Sequence, residues 1–490
     1  MTEVRVSRGA YMSATLALAT AAALAAFVMA QGYEIGLLRF VTPLHHDDFS
    51  ALANGPAFHF WIPRPVSTNF IYMLGSYGGP FYFIIHAVLN ALALALTVYF
   101  AHRTYSVPVS PLFLAATTAV VTLAWLCMRP SVYSFQYLGL GTNLLSYLFA
   151  VLAVSILQPA VMSHLRLLLF FFLCVLTAFA KEDMVLFVLL SVLIKAVEGV
   201  SLGVSVRGVL RANTAYLGIV VATYALSVFH SKIVGSAFTS GAGAYNVSNP
   251  AANLVHNGVA FWTTSAAMQF VLSAAAILVI VSAIKYVIVR STASLRDLLI
   301  SLLPFAAALP YLLLPRFVDY YAVSFVPMMI AFIAPGFLNV AAVRNAFATA
   351  MIVLFLPASA TYLFHHVDQQ SMQWGMGWYL DKRQRSAREV GVITDSYNSE
   401  LRRCNTIAVL GINEPLGPFA NSGSAYANRA LGAVKSWRIS ASPDTSLAQF
   451  AGTLPPIDKR WVYVASDAEA LSGSDCALIF DEAGNGDFQK

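Results

Sequence analysis

Apolar runs long enough to span a bilayer recur from the N-terminus to about residue 364, each closed by a few polar or charged positions. The first lies at residues 11–31. Others follow at 79–101, 109–127, 143–162, 165–180, 184–200, 212–230, 266–288, 298–315, 321–342 and 346–364, about eleven in all. A β-barrel would instead show short segments of alternating polarity. The pattern predicts a polytopic α-helical membrane protein. Arg5 and Arg8 precede the first run, and Val28-Met29-Ala30 resembles a leader-peptidase site. An uncleaved first span is the expectation, and with either reading the chain that follows is outside.

Beyond residue 364 the pattern changes. Residues 381–403 read as a charged juxtamembrane helix. Three short apolar runs follow: Thr406-Ile407-Ala408-Val409-Leu410, Trp461-Val462-Tyr463-Val464 and Ala477-Leu478-Ile479-Phe480. Each reads as a buried strand bounded by turn residues. The expected organisation is a transmembrane domain at 1–364, with a long outer loop at 32–78, and a small C-terminal α/β domain at 365–490. That loop holds Phe58-His59-Phe60-Trp61 and Pro63-Arg64-Pro65, so it cannot be one helix, and short helices on the membrane surface are expected there.

Composition agrees. The 490 residues are 58% hydrophobic and 11% charged, against about a quarter charged for a soluble domain. The net charge of +6 does not point to nucleic acid. Residues 1–364 hold 17 Lys and Arg against 9 Asp and Glu, whereas residues 365–490 hold 12 against 14. The basic excess therefore belongs to the membrane part, where loop cations set orientation. With the N-terminus inside, eleven cations fall in inner loops and six in outer ones. An odd number of spans then places the C-terminal domain outside the cytoplasm. There, Cys404 and Cys476 could form a disulfide; Cys127 and Cys174 fall in apolar segments.

Six of the nine acids before residue 365 lie on the outer side with interspersed cations, a bias that orientation does not require. His45-His46-Asp47-Asp48 follows the first span. An aspartate there could take a proton from a hydroxyl attacking an electrophilic carbon, or could only cap a helix. Lys181-Glu182-Asp183 sits at a hairpin with almost no loop. It is a polar turn, or Lys181 binds an anion such as a lipid phosphate at headgroup depth. Arg316 lies outside, against the orientation bias, and a guanidinium pairs with phosphate; the plainer reading is an interfacial anchor. His45-His46, and His365-His366 with Asp368, could in principle bind a metal. Without a spacing as diagnostic as H-E-x-x-H, no metal ligand is assigned, and dependence on a divalent cation stays open. The histidines contact substrate or are solvated.

Together these features resemble the GT-C class of membrane glycosyltransferases. The resemblance rests on Asp47-Asp48-Phe49 in the first outer loop, Lys181-Glu182 at a later outer hairpin, and Arg316-Phe317 before a late span with Pro327 downstream. Phe317 departs from the usual tyrosine. The resemblance covers about residues 10–364. It implies a polyprenyl-phosphate-linked sugar as donor and a glycan or lipid-linked acceptor outside the cell membrane. It also implies Asp47 or Asp48 as base, and Lys181, Arg316 and Arg64 as stabilisers of the leaving lipid phosphate, with inversion at the sugar. Glu182, Asp183, His45 and His46 would support them. The competing readings are a flippase for a lipid-linked saccharide, a glycan polymerase or ligase, and a structural membrane protein with a sensing domain. Charges at span ends and a substantial outer domain favour an enzyme over a transporter.

Overall fold

The computed structural model describes residues 8–33, 60, 64–77, 79–106, 110–126, 128, 141–158, 163–235, 249–263, 266–314, 319–340, 376–412, 417–419, 425–441, 461–464 and 466–490. The N-terminal part is helical: α1 (Arg8–Tyr33), α2 (Pro65–Tyr77), α3 (Gly79–Thr104), α4 (Pro111–Leu126), α5 (Gly141–Ser155), α6 (His164–Ala180), α7 (Val185–Ser201), α8 (Val206–Gly235), α9 (Pro250–Thr263), α10 (Ala266–Val289), α11 (Thr292–Leu312) and α12 (Val326–Val340). Ten of these occupy the segments expected to span, from residues 11–31 to 321–342. The eleventh, 346–364, lies outside the described residues. Among the described residues, four stretches are long and apolar enough to cross a membrane: Glu182–Ser201, Val206–Val234, Met268–Val289 and Thr292–Leu312. Shorter apolar helices accompany them.

The faces of these helices explain why they associate. On α10, Val271, Ala274, Leu278 and Ser282 are buried, while Ile277, Ile280, Ile284 and Ile288 are each at least half exposed. Ser282 apart, both sets are apolar, and both follow the helical repeat. In water such a helix would have no reason to expose one of them; in lipid the second stripe is its solvent-facing side. Helix α1 buries Thr15, Ala19, Ala23 and Ala26 and packs against α4 and α3. Small residues on one stripe let helix backbones approach closely, which substitutes for the missing hydrophobic force in a bilayer. Elsewhere α11 packs on α7, and α6 on α5 and α8. Leu303, Ala307, Phe187, Phe325 and Phe332 lie in the shared core.

Two hairpin ends are held by side chains. Helix α11 contains Pro304 and Pro310 and starts with a Ser291/Ser294 capping box. At its far end, Asn257 of α9 donates to the carbonyls of Leu312 (3.1 Å) and Leu314 (2.7 Å), and Asn253 to that of Leu313 (3.0 Å). These are the carbonyls a helix terminus leaves without partners. Next to the α10–α11 turn, Asp297 accepts hydrogen bonds from Lys285 Nζ (2.8 Å) and Asn339 Nδ2 (3.2 Å), tying α10, α11 and α12 together.

The C-terminal part follows α13 (Met376–Gly391), a π-helical turn at Val392–Ser396 and α14 (Asn398–Arg403). Strands β1 (Thr406–Leu410), β2 (Ser436–Ser440), β3 (Trp461–Val464), β4 (Cys476–Phe480) and β5 (Gly486–Gln489) form one sheet in the order β3-β2-β1-β4-β5. The first four are parallel and β5 runs antiparallel to β4. Helices α15 (Ala425–Leu431) and α16 (Asp467–Leu471) complete it. One face of the sheet buries Ile407, Val409, Trp437, Ile439, Leu478 and Phe480. The other buries Ala408, Leu410 and Ala477 with Ala470 of α16. Cys404 and Cys476 are disulfide-bonded, with Cα atoms 6.1 Å apart. Strands β2 and β5 were not among the expected elements.

Candidate functional site

The site forms where α6 ends. Lys181 has extended backbone (φ −168°, ψ 140°), which stops the helix and starts a short 3₁₀ turn, Glu182–Met184. A helix end inside a bundle exposes carbonyls that need donors. Three serines from three other helices supply them. Ser227 of α8 donates to Ala178 O, Ser67 of α2 to Ala180 O, and Ser146 of α5 to Lys181 O, each at 2.8 Å. The turn is therefore fixed from three sides before its charged side chains make any contact.

Those side chains separate into two layers. In the inner layer Lys181 and Asp183 are 6% and 5% exposed. Lys181 Nζ donates to Asn143 Oδ1 at 2.8 Å and lies 3.6 Å from Asp183 Oδ2. It also sits over the rings of Tyr311 and Tyr321, 5.0 and 5.1 Å from their centroids, within cation–π range. Asp183 accepts a hydrogen bond from the Tyr311 hydroxyl, and its Oδ1 lies 2.8 Å from Ser146 Oγ, sharing that hydroxyl's one proton with Lys181 O. Asn143 Nδ2 donates to Tyr311 and to Ser324, both at 3.1 Å, and Tyr311 shares a 2.9 Å hydrogen bond with Ser324. A buried lysine and a buried aspartate each lose hydration; here that loss is offset by the opposite charge and by several hydrogen bonds.

In the outer layer Arg64 and Glu182 pair across the surface. Arg64 Nη2 donates to Oε1 at 3.2 Å and Nε to Oε2 at 3.4 Å. This is the two-pronged guanidinium–carboxylate arrangement. Their side chains are 27% and 37% exposed. Arg64 has φ +53°, a left-handed conformation that costs a non-glycine residue about 1–2 kcal/mol, and one disfavoured before proline. It leads into α2, whose first residue is Pro65, and its carbonyl accepts from Thr68 N–H at 3.0 Å. Strain of this kind persists where surrounding contacts over-determine a residue; the Glu182 pair and the Ser67 contacts are those contacts.

Of the residues that the sequence singles out, the structure thus brings together Arg64, Lys181, Glu182 and Asp183. Asp47, Asp48, His45, His46 and Arg316 lie outside the described residues. Lys181 does not face open solvent as a turn lysine would: it points inward, between two tyrosines. The four charges also cancel, since each cation has its own carboxylate. Asn143, Ser146, Tyr311 and Ser324 were not singled out from the sequence. The available signal was Asn143 and Ser146, polar residues one turn apart within an apolar span. Among the described residues, no group of three or more His, Cys, Asp or Glu side chains is placed to hold a metal ion.

No protein-family model matches the chain. No curated protein matches it either. Its fold is similar to the crystal structure of an Archaeoglobus fulgidus oligosaccharyltransferase complex with Zn and sulfate, at 12% sequence identity and a TM-score of 0.43. The similarity covers 84% of this chain and 61% of that one, so the chain spans about three-fifths of that protein. A likeness at that level assigns neither family nor activity.

Proposed function

We propose that this chain is an integral-membrane glycosyltransferase that moves a sugar from a polyprenyl-phosphate donor to an extracytoplasmic glycan or lipid-linked acceptor, with inversion. The observation that carries the reading is the meeting of Arg64 with Lys181-Glu182-Asp183, segments 118 residues apart between Arg64 and Glu182, at the end of an apolar helix. A sugar phosphate on a long lipid keeps its reacting carbon near headgroup depth, and cations held at a helix end stabilise charge that develops there. Arg64 is the accessible one. Its two-pronged grip on a carboxylate is the geometry with which a guanidinium takes a phosphate, so the donor phosphate displaces Glu182. Lys181 supplies its charge from beneath. Arg316 belongs to the same set.

Asp47 or Asp48 takes the proton of the acceptor hydroxyl. That oxygen bonds to the anomeric carbon as the bond to the phosphate oxygen breaks, and the polyprenyl phosphate leaves with the electron pair. Single displacement inverts the centre. His45 and His46 flank the base and contact the acceptor. The chain belongs in the cell (inner) membrane with this site and the C-terminal domain outside. The bias of cations in the sequence supports that side, and so does the Cys404–Cys476 disulfide, a bond that persists in oxidising compartments.

Membranes holding wild type, Asp47→Asn or Asp48→Asn at matched levels, supplied with labelled polyprenyl-phosphate sugar, test the reading. Loss of transfer in one variant, by the ~10²–10⁴-fold typical of a missing general base, locates the base. Equal transfer in all three removes the aspartates from the mechanism. No protein-dependent transfer with any donor sinks the enzyme reading, and a flippase for a lipid-linked saccharide becomes the better account.

A further inference from the structure

The other end of α11 carries a separate charged cluster. Asp297 precedes Tyr311 by four turns of the same helix, so about 21 Å separates it along the axis from the tyrosine that meets Asp183. Two cations share this one carboxylate, which is 4% exposed. Lys285 Nζ of α10 lies 2.8 Å from Asp297 Oδ2. Arg296 Nη2 lies 3.7 Å from Oδ1, the oxygen to which Asn339 Nδ2 of α12 donates at 3.2 Å. Lys285, Arg296 and Asp297 together carry a surplus of one positive charge.

Arg296 is the group out of balance. Its side chain is only 19% exposed, yet 3.7 Å is too long for a hydrogen bond. Its Nε is buried and has no partner among the described residues. A guanidinium offers five N–H donors in a fixed fork and accepts nothing, so burying one without acceptors is costly. Asp297 is already engaged, with Lys285 on one oxygen and Asn339 on the other. The fork therefore has donors to spare, beside an ammonium whose side chain is 34% exposed. An anion with several oxygens matches that pair of cations.

The surroundings favour a lipid as the source of that anion. Ile284, Val287 and Ile288, next to Lys285 along α10, are each more than half exposed and form the stripe that faces the bilayer. The cation bias of the sequence puts the α10–α11 turn on the cytoplasmic side. Bilayers carry anionic lipid on that side, and basic pockets between helices bind its headgroups there. We infer that Lys285 and Arg296 form a site for the phosphodiester of one anionic phospholipid of the cytoplasmic leaflet, with its acyl chains against the apolar stripe of α10. The guanidinium takes two phosphate oxygens through its fork, and the ammonium adds a point-charge contact. The single negative charge of the phosphodiester offsets the surplus positive one. Asp297 stays with Lys285 and holds the two cations together. The site is independent of the sugar-transfer reading, since it lies at the opposite end of α11 from Lys181.

The test titrates the purified full-length chain in neutral detergent with phosphatidylglycerol, phosphatidylcholine or inorganic phosphate, and counts bound lipid by native mass spectrometry. Wild type should retain one phosphatidylglycerol about tenfold more tightly than phosphatidylcholine, and equimolar inorganic phosphate should not displace it. Arg296→Gln keeps the Lys285–Asp297 pair and should lower affinity for phosphatidylglycerol about tenfold, the loss of a charge-assisted hydrogen bond. Arg207→Gln, which removes an exposed cation at the start of α8, should bind as wild type does. Equal retention of the two lipids by wild type overturns the inference without recourse to any variant. Displacement by inorganic phosphate overturns the lipid as occupant and leaves a site for a soluble anion. Unchanged binding in Arg296→Gln with a wild-type thermal transition, or an equal loss in Arg207→Gln, overturns the assignment to this cluster.

Discussion

Arg64 holds Glu182 through two hydrogen bonds, 3.2 and 3.4 Å, although 118 residues separate them in the chain. The pair joins the start of α2 to the turn after α6, and it is the partly exposed layer of a cluster whose inner layer is buried. Exposure decides what the pair can do. A partly hydrated ion pair contributes only about 0–1 kcal/mol to stability, so exchanging its carboxylate for a phosphate costs little. Arg64→Ala should therefore leave thermal unfolding in detergent nearly unchanged and raise the KM for lipid-linked donor by roughly 10- to 100-fold, the loss of one or two charge-assisted hydrogen bonds. Arg64→Lys should not restore it, because an ammonium cannot make the planar two-pronged contact. A large drop in stability with unchanged KM would make Arg64 a structural residue.

Lys181 and Asp183 should behave in the opposite way. Both are buried, and removing one leaves the other charged and uncompensated. Lys181→Met should destabilise the helical part by about 3–5 kcal/mol. Lys181→Met combined with Asp183→Leu should recover part of that loss, since the buried pair's desolvation cost goes with it. Thermal unfolding of the single and double variants measures the coupling. If the double variant is stable but does not transfer sugar, the lysine's charge is needed for the chemistry and not only for the turn. If the double variant is as unstable as the single one, the hydrogen bonds of Ser146 and Asn143 outweigh the charge pair.

The hydropathy pattern located most of the helices because twenty apolar residues in a row leave few alternatives. It placed the starts of α8 and α11 about six residues late. Val206 to Arg211 and Thr292 to Asp297 are polar enough to read as loop, yet they continue the helix, with Ser291 capping α11. Strand β2, Ser436-Trp437-Arg438-Ile439-Ser440, has only two apolar residues, both buried, and β5 is a polar edge. Neither makes the continuous apolar run by which β1 and β4 were legible. At the site, Lys181, Glu182 and Arg64 stood out as charges in an apolar chain. Their partners did not, because Ser67, Ser146, Ser227 and Tyr311 are ordinary residues until the helices bring them to one turn.

The clamp on α11 is also separable from the chemistry. Asn257 donates to the carbonyls of both Leu312 and Leu314. Asn257→Leu should remove this donor from both carbonyls at a partly buried position, costing about 1–3 kcal/mol. Hydrogen exchange should rise at the C-terminal turn of α11. Unchanged exchange there would mean that water takes over the Asn257 role.

The disulfide gives a prediction about the C-terminal domain. Cys404 precedes β1, and Cys476 opens β4, its neighbour in the sheet. The bridge closes 72 residues of chain that include β1, β2, β3 and helices α15 and α16, so it removes considerable freedom from the unfolded segment. Loop-closure entropy for that length corresponds to about 4 kcal/mol. Cys404→Ser with Cys476→Ser should therefore lower the stability of the sheet by an amount of that order, seen as faster proteolysis between β1 and β4. Helices α1 to α12 should keep their thermal transition, since the bridge joins no residue of theirs. The same pair reports the compartment. Protein taken from cells into an alkylating trap should show Cys404 and Cys476 unmodified without reductant and modified with it. Two freely alkylated thiols in that experiment would place the domain in a reducing compartment, and the cation bias would then have been read with the wrong side out.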